Sequence, residues 1–308
     1  MNQRLDDYNS SQRSPRVPCI QLQLRKPKTG MYSYMFLEDF CSSFSIALAP
    51  RPLSRGQDFY RISPSGDLLK SLLCFEDDQF LKYDMDKLLT DITQALISFG
   101  KAYLEIITWR DAEGIIKGIS FALVKPVGVL KGINRTLFVS IQFDKKFKLY
   151  HIENRNLIIL RLKDLGYSRH SFRNFLRKIN KCDFTNVSEM SLYPQKTGFN
   201  FSRYKSKSEF ALLKATKSVY WYGRDGKNQY MGESYLLYRA ARFTMLRKKF
   251  LIYIIQQINK GLQNHKQEIG FNGELAIDCE EIDYMKEFER LWTGEINTTQ
   301  LSKLVFRI

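Results

Sequence analysis

The sequence has few of the residues that build metal sites or disulfide frameworks. Its five cysteines lie far apart and form no C-x-x-C pair: Cys19, Cys41, Cys74, Cys182 and Cys279. The three histidines are not spaced as metal ligands either. An odd number of scattered cysteines argues against a disulfide scaffold or a zinc finger and favours a reducing compartment. We therefore expect no metal and no other cofactor.

The chain also lacks a long apolar run. Its most apolar stretch, FLIYIIQQI at 250–258, is much shorter than the ~20 residues that cross a bilayer. Residues 1–30 contain no apolar segment of the kind found in a secretory signal. They are polar and basic and show no periodicity, which predicts a disordered basic arm. We expect no membrane partner.

Positive charge is present in excess. Lys and Arg number 48 against 32 for Asp and Glu, which gives a formal net charge of +16. A hydrophobic content of 44% is sufficient for a folded core. Such a basic balance favours contact with nucleic acid, an acidic protein or an anionic surface, and it does not distinguish between them.

Residues 31–162 predict an α/β region. A helix of about four turns begins at Met31, and a loop follows over residues 51–66. A second amphipathic helix ends at Gly100 and leads directly into a strand with alternating apolar residues. Residues 111–114 form a hairpin turn, and residues 115–124 form the return strand, which stops before Pro126. Further short strands follow through residue 162.

Residues 163–217 form a basic segment interleaved with Tyr and Phe. Cations that follow phosphates and rings that stack on bases would suit single-stranded nucleic acid. The alternative is a basic surface insertion whose aromatic rings anchor it to the body of the protein. The sequence leaves both interpretations open.

Residues 218–308 begin with a predicted strand over 218–221 and continue into a long amphipathic helix over 230–262. Gly232 and Ser234 mark the start of this helix, and Gly261 marks a stop. Apolar residues recur every three or four positions along one arc: Leu236, Ala240, Phe243, Leu246, Phe250, Ile254 and Ile258. A neighbouring arc carries four cations, which are our predicted nucleic-acid contacts: Arg239, Arg242, Lys249 and Lys260. The alternative is a solvated basic flank of an ordinary core helix.

The C-terminal tail predicts one more helix and a strand. Four apolar residues share a face of that helix: Ile282, Met285, Phe288 and Leu291. Gly294 closes the helix, and a last apolar strand runs to Ile308. The whole chain is therefore of the α+β class.

Taken in order, four of these segments resemble the phage portal protein family. The residues that carry the resemblance are Gly100 and Tyr103 in GKAYLEI, Gly114 in the following turn, Pro126 in LVKPV, and Gly232, Ser234 and Leu236 in YMGESYL before the long helix. The fourth segment is the helix over 281–292 with its glycine. Tyr235 stands where the family prefers proline, and the chain ends sooner than is usual, which marks a divergent, C-terminally short member.

The resemblance implies a structural subunit with no catalytic residues. Identical copies would form a ring at a capsid vertex, and the ring would be the channel for packaging and ejecting double-stranded DNA. It also implies a portal-like wing domain of short strands and helices beside one long helix. The implied partners are other copies, duplex DNA, a terminase and capsid proteins, and the implied location is the virion, with the host cytoplasm during assembly.

Two other functions stay open. One is a nucleic-acid-binding protein of a mobile element that uses the 163–217 segment. The other is a nuclease, for which Glu105 on its strand, with Lys101 and Asp111 nearby, is a rough candidate for holding Mg²⁺. Ile107 occupies the position where such an enzyme would carry lysine, so we predict that the protein is not an enzyme.

Overall fold

The computed structural model describes residues 30–42, 44, 48, 59–63, 78–110, 112–114, 116–126, 128–141, 147–182, 201–223, 232–266, 274–278 and 282–306. These residues mix helices with antiparallel strands, which confirms the α+β class. They divide into two units. We call the described residues within Arg55–Arg169 and Leu251–Asp278 the sheet unit. Those within Pro27–Ser54, His170–Phe250 and Cys279–Ile308 are the helical unit.

The described strands of the sheet unit pair antiparallel in three small sheets. The strands are Tyr60–Ser63 (β1), Lys101–Arg110 (β2), Ile116–Val124 (β3), Gly128–Lys131 (β4), Arg135–Ile141 (β5), Phe147–Glu153 (β6), Leu157–Arg161 (β7) and Glu274–Ile277 (β8). Their orders are β3-β2-β7, β4-β5-β6 and β1-β8. The predicted strand, hairpin turn and return strand over 101–124 are confirmed, as are the short strands that follow them.

Gly100 joins the helix Asp78–Phe99 to β2. Its φ of 73° is left-handed, a conformation that glycine adopts without strain and that commonly ends a helix. A Cβ at this position would lie only 2.5 Å from the carbonyl oxygen of Arg169. Both the backbone conformation and the lack of space therefore require glycine at the predicted helix end.

Strand β2 is covered on both faces. Leu104 and Ile106 are buried, as the alternation of apolar residues predicts. On the opposite face the Tyr103 ring packs edge-on against Phe138, with 5.5 Å between ring centroids. Phe138 belongs to a buried cluster with Val124, Ile152 and Leu157. Because apolar groups pack on both faces, β2 is the central strand of its sheet in burial as well as in order.

One unbroken helix runs from Glu233 to Gln263 and confirms the predicted long helix. Its 31 residues span about 46 Å at ~1.5 Å per residue. The predicted apolar arc is buried apart from Leu236, which is half-buried. Residues up to Phe250 belong to the helical unit, and those from Leu251 onward belong to the sheet unit.

Two details at the ends of the long helix differ from prediction. Ser234 lies inside the first turn and not at the cap, since the Leu236 amide donates to the carbonyl of Gly232. Gly261 does not stop the helix. It allows close packing instead, because a Cβ there would lie 2.6 Å from Cγ1 of Ile158 and 3.1 Å from Cδ1 of Ile106.

Aromatic rings dominate the core of the helical unit. The helix Met31–Cys41 brings Phe36 within 4.7 Å of the Phe175 ring and 5.7 Å of Trp221, measured between centroids. Phe40 lies 5.1 Å from Phe250 on the long helix. Trp221 is almost fully buried, and its indole Nε1 donates to Oδ2 of Asp39 at 2.9 Å. Edge-to-face packing of this kind adds to the apolar burial that stabilises the unit.

The helix predicted from Met31 to just before Pro50 is interrupted in the structure, because Ser42 is extended and ends the first helix after Cys41, while Phe44 and Leu48 are again helical. The basic segment is helical over Ser171–Asn180 and Phe201–Ala215. Phe172 and Phe175 are buried, so their rings are unavailable to stack on bases, and this fits the anchored alternative for the first of these helices. Of the predicted arm over 1–30, only Gly30 falls within the described residues.

Three predicted elements were wrong. Residues 218–221 are not a strand, because residues 216–220 form a turn in which Tyr220 has a φ of 58°. The last segment is a helix, Thr298–Phe306, and not a strand. Tyr60–Ser63 lie in the predicted loop but form β1, which pairs with β8.

The C-terminal helices bury one apolar face against the start of the long helix. Tyr284 and Phe288 of the helix Tyr284–Trp292 cluster with Leu301 of the last helix and with Leu237. Asp283 caps the first of these helices, and Gly294, with a φ of 79°, follows its end as predicted. Among the described helices, none combines the length and the apolar character needed to cross a bilayer.

Candidate nucleic-acid interface

Arg239 cannot serve as a nucleic-acid contact from its position in the structure. Its side chain is fully buried in the helical unit. The guanidinium donates to the carbonyls of Leu213 at 3.2 Å and Trp221 at 2.6 Å, and to Oγ1 of Thr216 at 2.7 Å. At 100° per residue, position 239 falls within the apolar arc, between Leu246 and Phe250, so it faces inward, and we remove it from the predicted contacts.

Arg242 lies on the basic arc and is half-buried. Its guanidinium carbon lies 5.0 Å from the centroid of the Tyr220 ring, and Nη2 is 3.4 Å from the Tyr220 hydroxyl oxygen. A cation over an aromatic face is held in place by the ring quadrupole. Arg242 is therefore an anchored cation whose exposed edge can still meet an anion.

Lys249 and Lys260 are exposed. Lys249 belongs to the helical unit and Lys260 to the sheet unit. With about 3.6 residues per turn, positions 242, 249 and 260 share one side of the long helix. Three of the four predicted cations thus keep positions from which contact with phosphate is possible, and that contact stays a prediction.

The motif residues lie at turns and packing positions. Gly100 and Gly114 adopt left-handed conformations, and Tyr103 packs on Phe138. Pro126 follows the end of β3. Three more lie at the start of the long helix, with the first two exposed and the third half-buried: Gly232, Ser234 and Leu236.

A cluster of four cations in the sheet unit was missed at the sequence level. Strands β2 and β7 place Lys101 directly opposite Arg161. Side chains opposite each other in an antiparallel pair share a face, with Cβ atoms about 4.5–5.5 Å apart, and like charges there are unfavourable. Lys163 follows in the 3₁₀ turn Leu162–Leu165, and Arg169 packs on Gly100. We call Lys101, Arg161, Lys163 and Arg169 the basic cluster.

The electrostatics of Lys101 reflect this arrangement. Partial burial lowers the pKa of its ammonium group, and the positive charges of Arg169, Arg161 and Lys163 lower the pKa further. Burial raises the pKa of the Tyr103 hydroxyl, and the positive charges of Arg169 and Arg161 offset part of that increase. In the sequence, Lys101 begins β2 and Arg161 ends β7. That these two residues lie opposite each other depends on the pairing of the strands, which the sequence does not show.

The nuclease candidate has no support in the site geometry. Glu105 is buried within the sheet unit, at 1% exposure, where a phosphodiester could not reach it without rearrangement. Asp111 lies outside the described residues. Within the ranges that the structure describes, no group of three or more His, Cys, Asp or Glu side chains is placed to hold a metal ion.

Comparison with known proteins does not add an identity to this geometry. No protein family model matches the chain, and no curated protein matches it. Functional inference therefore depends on the residues and on the resemblance of the four segments.

Proposed function

We propose that the chain is a structural subunit of a phage portal ring, which forms the channel for duplex DNA during packaging and ejection. The observation that carries the proposal is the unbroken helix Glu233–Gln263, 31 residues long. A channel subunit needs a rigid element with one apolar side to pack and one polar side to present. The long helix has both, with a buried apolar arc beside a basic one.

The order of elements supports the same proposal. The helix Asp78–Phe99, Gly100 and the β2–β3 hairpin follow each other as in the first resembling segment. The long helix is followed by the helix Tyr284–Trp292, as in the last one. From this order we propose a portal-like wing domain of short strands and helices beside the long helix.

A ring of identical subunits also needs side surfaces that join head to tail. The β4-β5-β6 sheet has an outward apolar face that fits this need. Its register places Leu130 beside Leu137, and Val139 beside Leu149, all on one face. Leu130 and Leu149 are 65% and 61% exposed. These apolar side chains have polar neighbours on the same face: Arg135, His151 and Glu153. Exposed apolar side chains grouped on one face commonly mark an interaction site, and the proposal assigns a neighbouring copy of the chain to it.

The moderate charge of the long helix is consistent with a channel. Each phosphate neutralised contributes about −0.9 to the salt slope of binding to duplex DNA, so many cations multiplied around a ring would hold DNA too tightly to move. Arg239 is sequestered and Arg242 is held by Tyr220. The helix thus presents fewer mobile cations than its sequence suggests.

Size-exclusion chromatography with light scattering tests this proposal. We expect the purified chain to elute with a mass many times the monomer's 36.2 kDa, as a ring of about twelve copies would. The double variant Leu130→Ser with Leu149→Ser should shift the protein to the monomer, because it removes the apolar face without adding charge.

Met31→Ser with Tyr34→Ser is the matched control, since it removes two exposed apolar side chains of the helical unit. This control should keep the large assembly. A wild-type protein that is monomeric at micromolar concentration would contradict the ring proposal.

The second candidate is a nucleic-acid-binding protein of a mobile element. The basic cluster favours it, because Lys163 and Arg169 fall at the start of the basic segment 163–217. A monomer or dimer that binds oligonucleotides tightly would select this candidate over the portal.

A further inference from the structure

We propose that Lys101, Arg161, Lys163 and Arg169 form a binding site in the sheet unit for the backbone phosphates of a nucleic acid. Its residues lie on β2, on β7 and in the segment after β7, and none of them belongs to the long helix. The site lies where β2 begins and β7 ends, beside the glycine that terminates the helix Asp78–Phe99.

The register of the sheet concentrates the charge. Lys101 and Arg161 are directly opposite each other, so their side chains leave the same face of the sheet. The 3₁₀ turn Leu162–Leu165 then carries Lys163, and the chain returns to place Arg169 against Gly100. A side chain at position 100 would displace Arg169. Glycine at this position therefore allows Arg169 to take its place in the basic cluster.

The four charges are not fully neutralised within the described part of the chain. Among those residues, none of the four makes an ion pair or a side-chain hydrogen bond to an acid. Asp164 lies in the same turn, and its carboxylate, which accepts a hydrogen bond from the Tyr253 hydroxyl at 2.9 Å, keeps its negative charge and offsets one of the four positive charges. Arg161 Nε is buried and has no hydrogen-bond partner among the described residues. A buried donor without a partner calls for an explanation, and a bound anion supplies one only when the Arg161 side chain turns outward to meet it.

The chemistry of the site favours phosphate over other anions. Lys101 and Arg161 lie on adjacent strands, and adjacent strands are about 4.7–4.9 Å apart. Lys163 follows in the 3₁₀ turn after β7. Cations at this spacing fit successive phosphates of a nucleic-acid backbone and equally fit one isolated phosphate, and the competition with inorganic phosphate described below distinguishes the two. The half-buried Tyr103 ring shares the face of Lys101, two residues along β2, and adds an aromatic edge beside the cations.

Fluorescence anisotropy of a labelled duplex DNA oligonucleotide, measured at several salt concentrations, tests the site. The double variant Lys163→Gln with Arg169→Gln changes two exposed residues, so folding should survive. We expect the salt slope to fall by about 1.8, and the affinity at ~0.1 M salt to fall roughly tenfold for each phosphate that is no longer bound. Lys125→Gln with Lys131→Gln makes the same change of charge at exposed positions of the same unit, and it should leave the slope unchanged.

A second variant separates binding from structure. Lys101→Gln removes one member of a like-charged pair, and it should weaken binding while leaving the midpoint of thermal unfolding unchanged or higher. A residue with a merely structural role would lower that midpoint when substituted.

Two results would overturn the proposal. One is an equal loss of binding in the cluster variant and the control variant, which would indicate a net-charge effect. The other is displacement of the oligonucleotide by inorganic phosphate at an equal concentration of phosphate groups, which would indicate a site for isolated anions. The proposal is independent of ring formation, because the salt slope can change in a protein of any mass.

Discussion

Arg239 joins three segments of the helical unit at a single buried point. It bonds the carbonyls of Leu213 and Trp221 and the hydroxyl of Thr216. Removing a buried donor leaves its acceptors unpaired, which commonly costs about 1–3 kcal/mol for each acceptor. We expect Arg239→Met to lower the free energy of unfolding by that order, measured by urea denaturation.

Lys249→Met is the matched control for this substitution, because it removes an exposed cation from the same helix. Its effect should stay within about 0.5 kcal/mol. Equal effects of the two substitutions would mean that the Arg239 hydrogen bonds contribute nothing to stability.

Tyr253 gives the sheet unit a sensitivity to alkaline pH. Its hydroxyl accepts from the Arg161 amide at 2.9 Å and donates to Asp164 at the same distance. Burial, more than any other cause, raises its pKa to about 12, against about 10 for an unfolded tyrosine. The unfolded state thus loses this proton first, and the stability that Tyr253 contributes is complete below pH ~10 and is lost as pH rises toward 12.

Urea unfolding between pH 9 and 11 measures this dependence. Stability should fall across the range, and Tyr253→Phe should make the fall shallower, while lowering stability by about 1–2 kcal/mol at pH ~8 through the missing hydrogen bonds. Tyr60 and Tyr222, whose pKa values burial also raises, should keep part of the slope. An unchanged slope in Tyr253→Phe would assign the alkaline effect to other groups.

At the scale of elements, Gly261 fixes how closely the long helix packs within the sheet unit. Helix propensity alone would make Gly261→Ala stabilising by about 1 kcal/mol. The added methyl would instead meet Ile158 and Ile106, and overpacking of this kind typically costs about 1–3 kcal/mol. We expect a net loss of stability in chemical denaturation.

The double variant Gly261→Ala with Ile158→Val provides the control for Gly261. Trimming Ile158 makes room for the new methyl, so the double variant should lose less stability than the sum of the two single variants. Additive losses would mean that contact between Ile158 and the new methyl group does not cause the loss of stability in Gly261→Ala.

The sequence predicts an element most reliably where a residue at its end, such as a helix-ending glycine or a capping residue, marks the boundary. Gly100 marked a helix end because its left-handed backbone and its contact with Arg169 both require glycine. The last helix also had such a signal, which we missed. Asn297 and Gln300 cap it reciprocally, each accepting from the other's amide at 2.9 Å, and N-x-x-Q is the pattern of a capping box.

Other features depend on partners far away in the sequence. Among the described strands, β1 pairs with β8 alone, and no local pattern in Tyr60–Ser63 shows where that partner is. The basic cluster depends on the β2–β7 register. The acceptors that make the burial of Arg239 tolerable, Thr216 and Trp221, do not lie on the helix that carries it. Periodicity along one element cannot supply information of this kind.

At the scale of the whole molecule, the chain combines a rigid helix, an exposed apolar sheet face and two separate groups of cations. The residues that give the formal net charge of +16 are not confined to one surface. Some of it is buried with Arg239, some lies along the long helix, and some is concentrated in the basic cluster. A subunit that must join its neighbours and touch DNA lightly requires such a division, because concentrated charge on a channel wall would arrest the polymer.

Negative-stain electron microscopy of the purified full-length chain tests the proposed ring most directly. We predict closed rings of identical copies with a central opening, seen end-on. We also predict that the rings are absent from the Leu130→Ser with Leu149→Ser variant. A field of single small particles, from protein that remains folded by circular dichroism, would contradict the proposal.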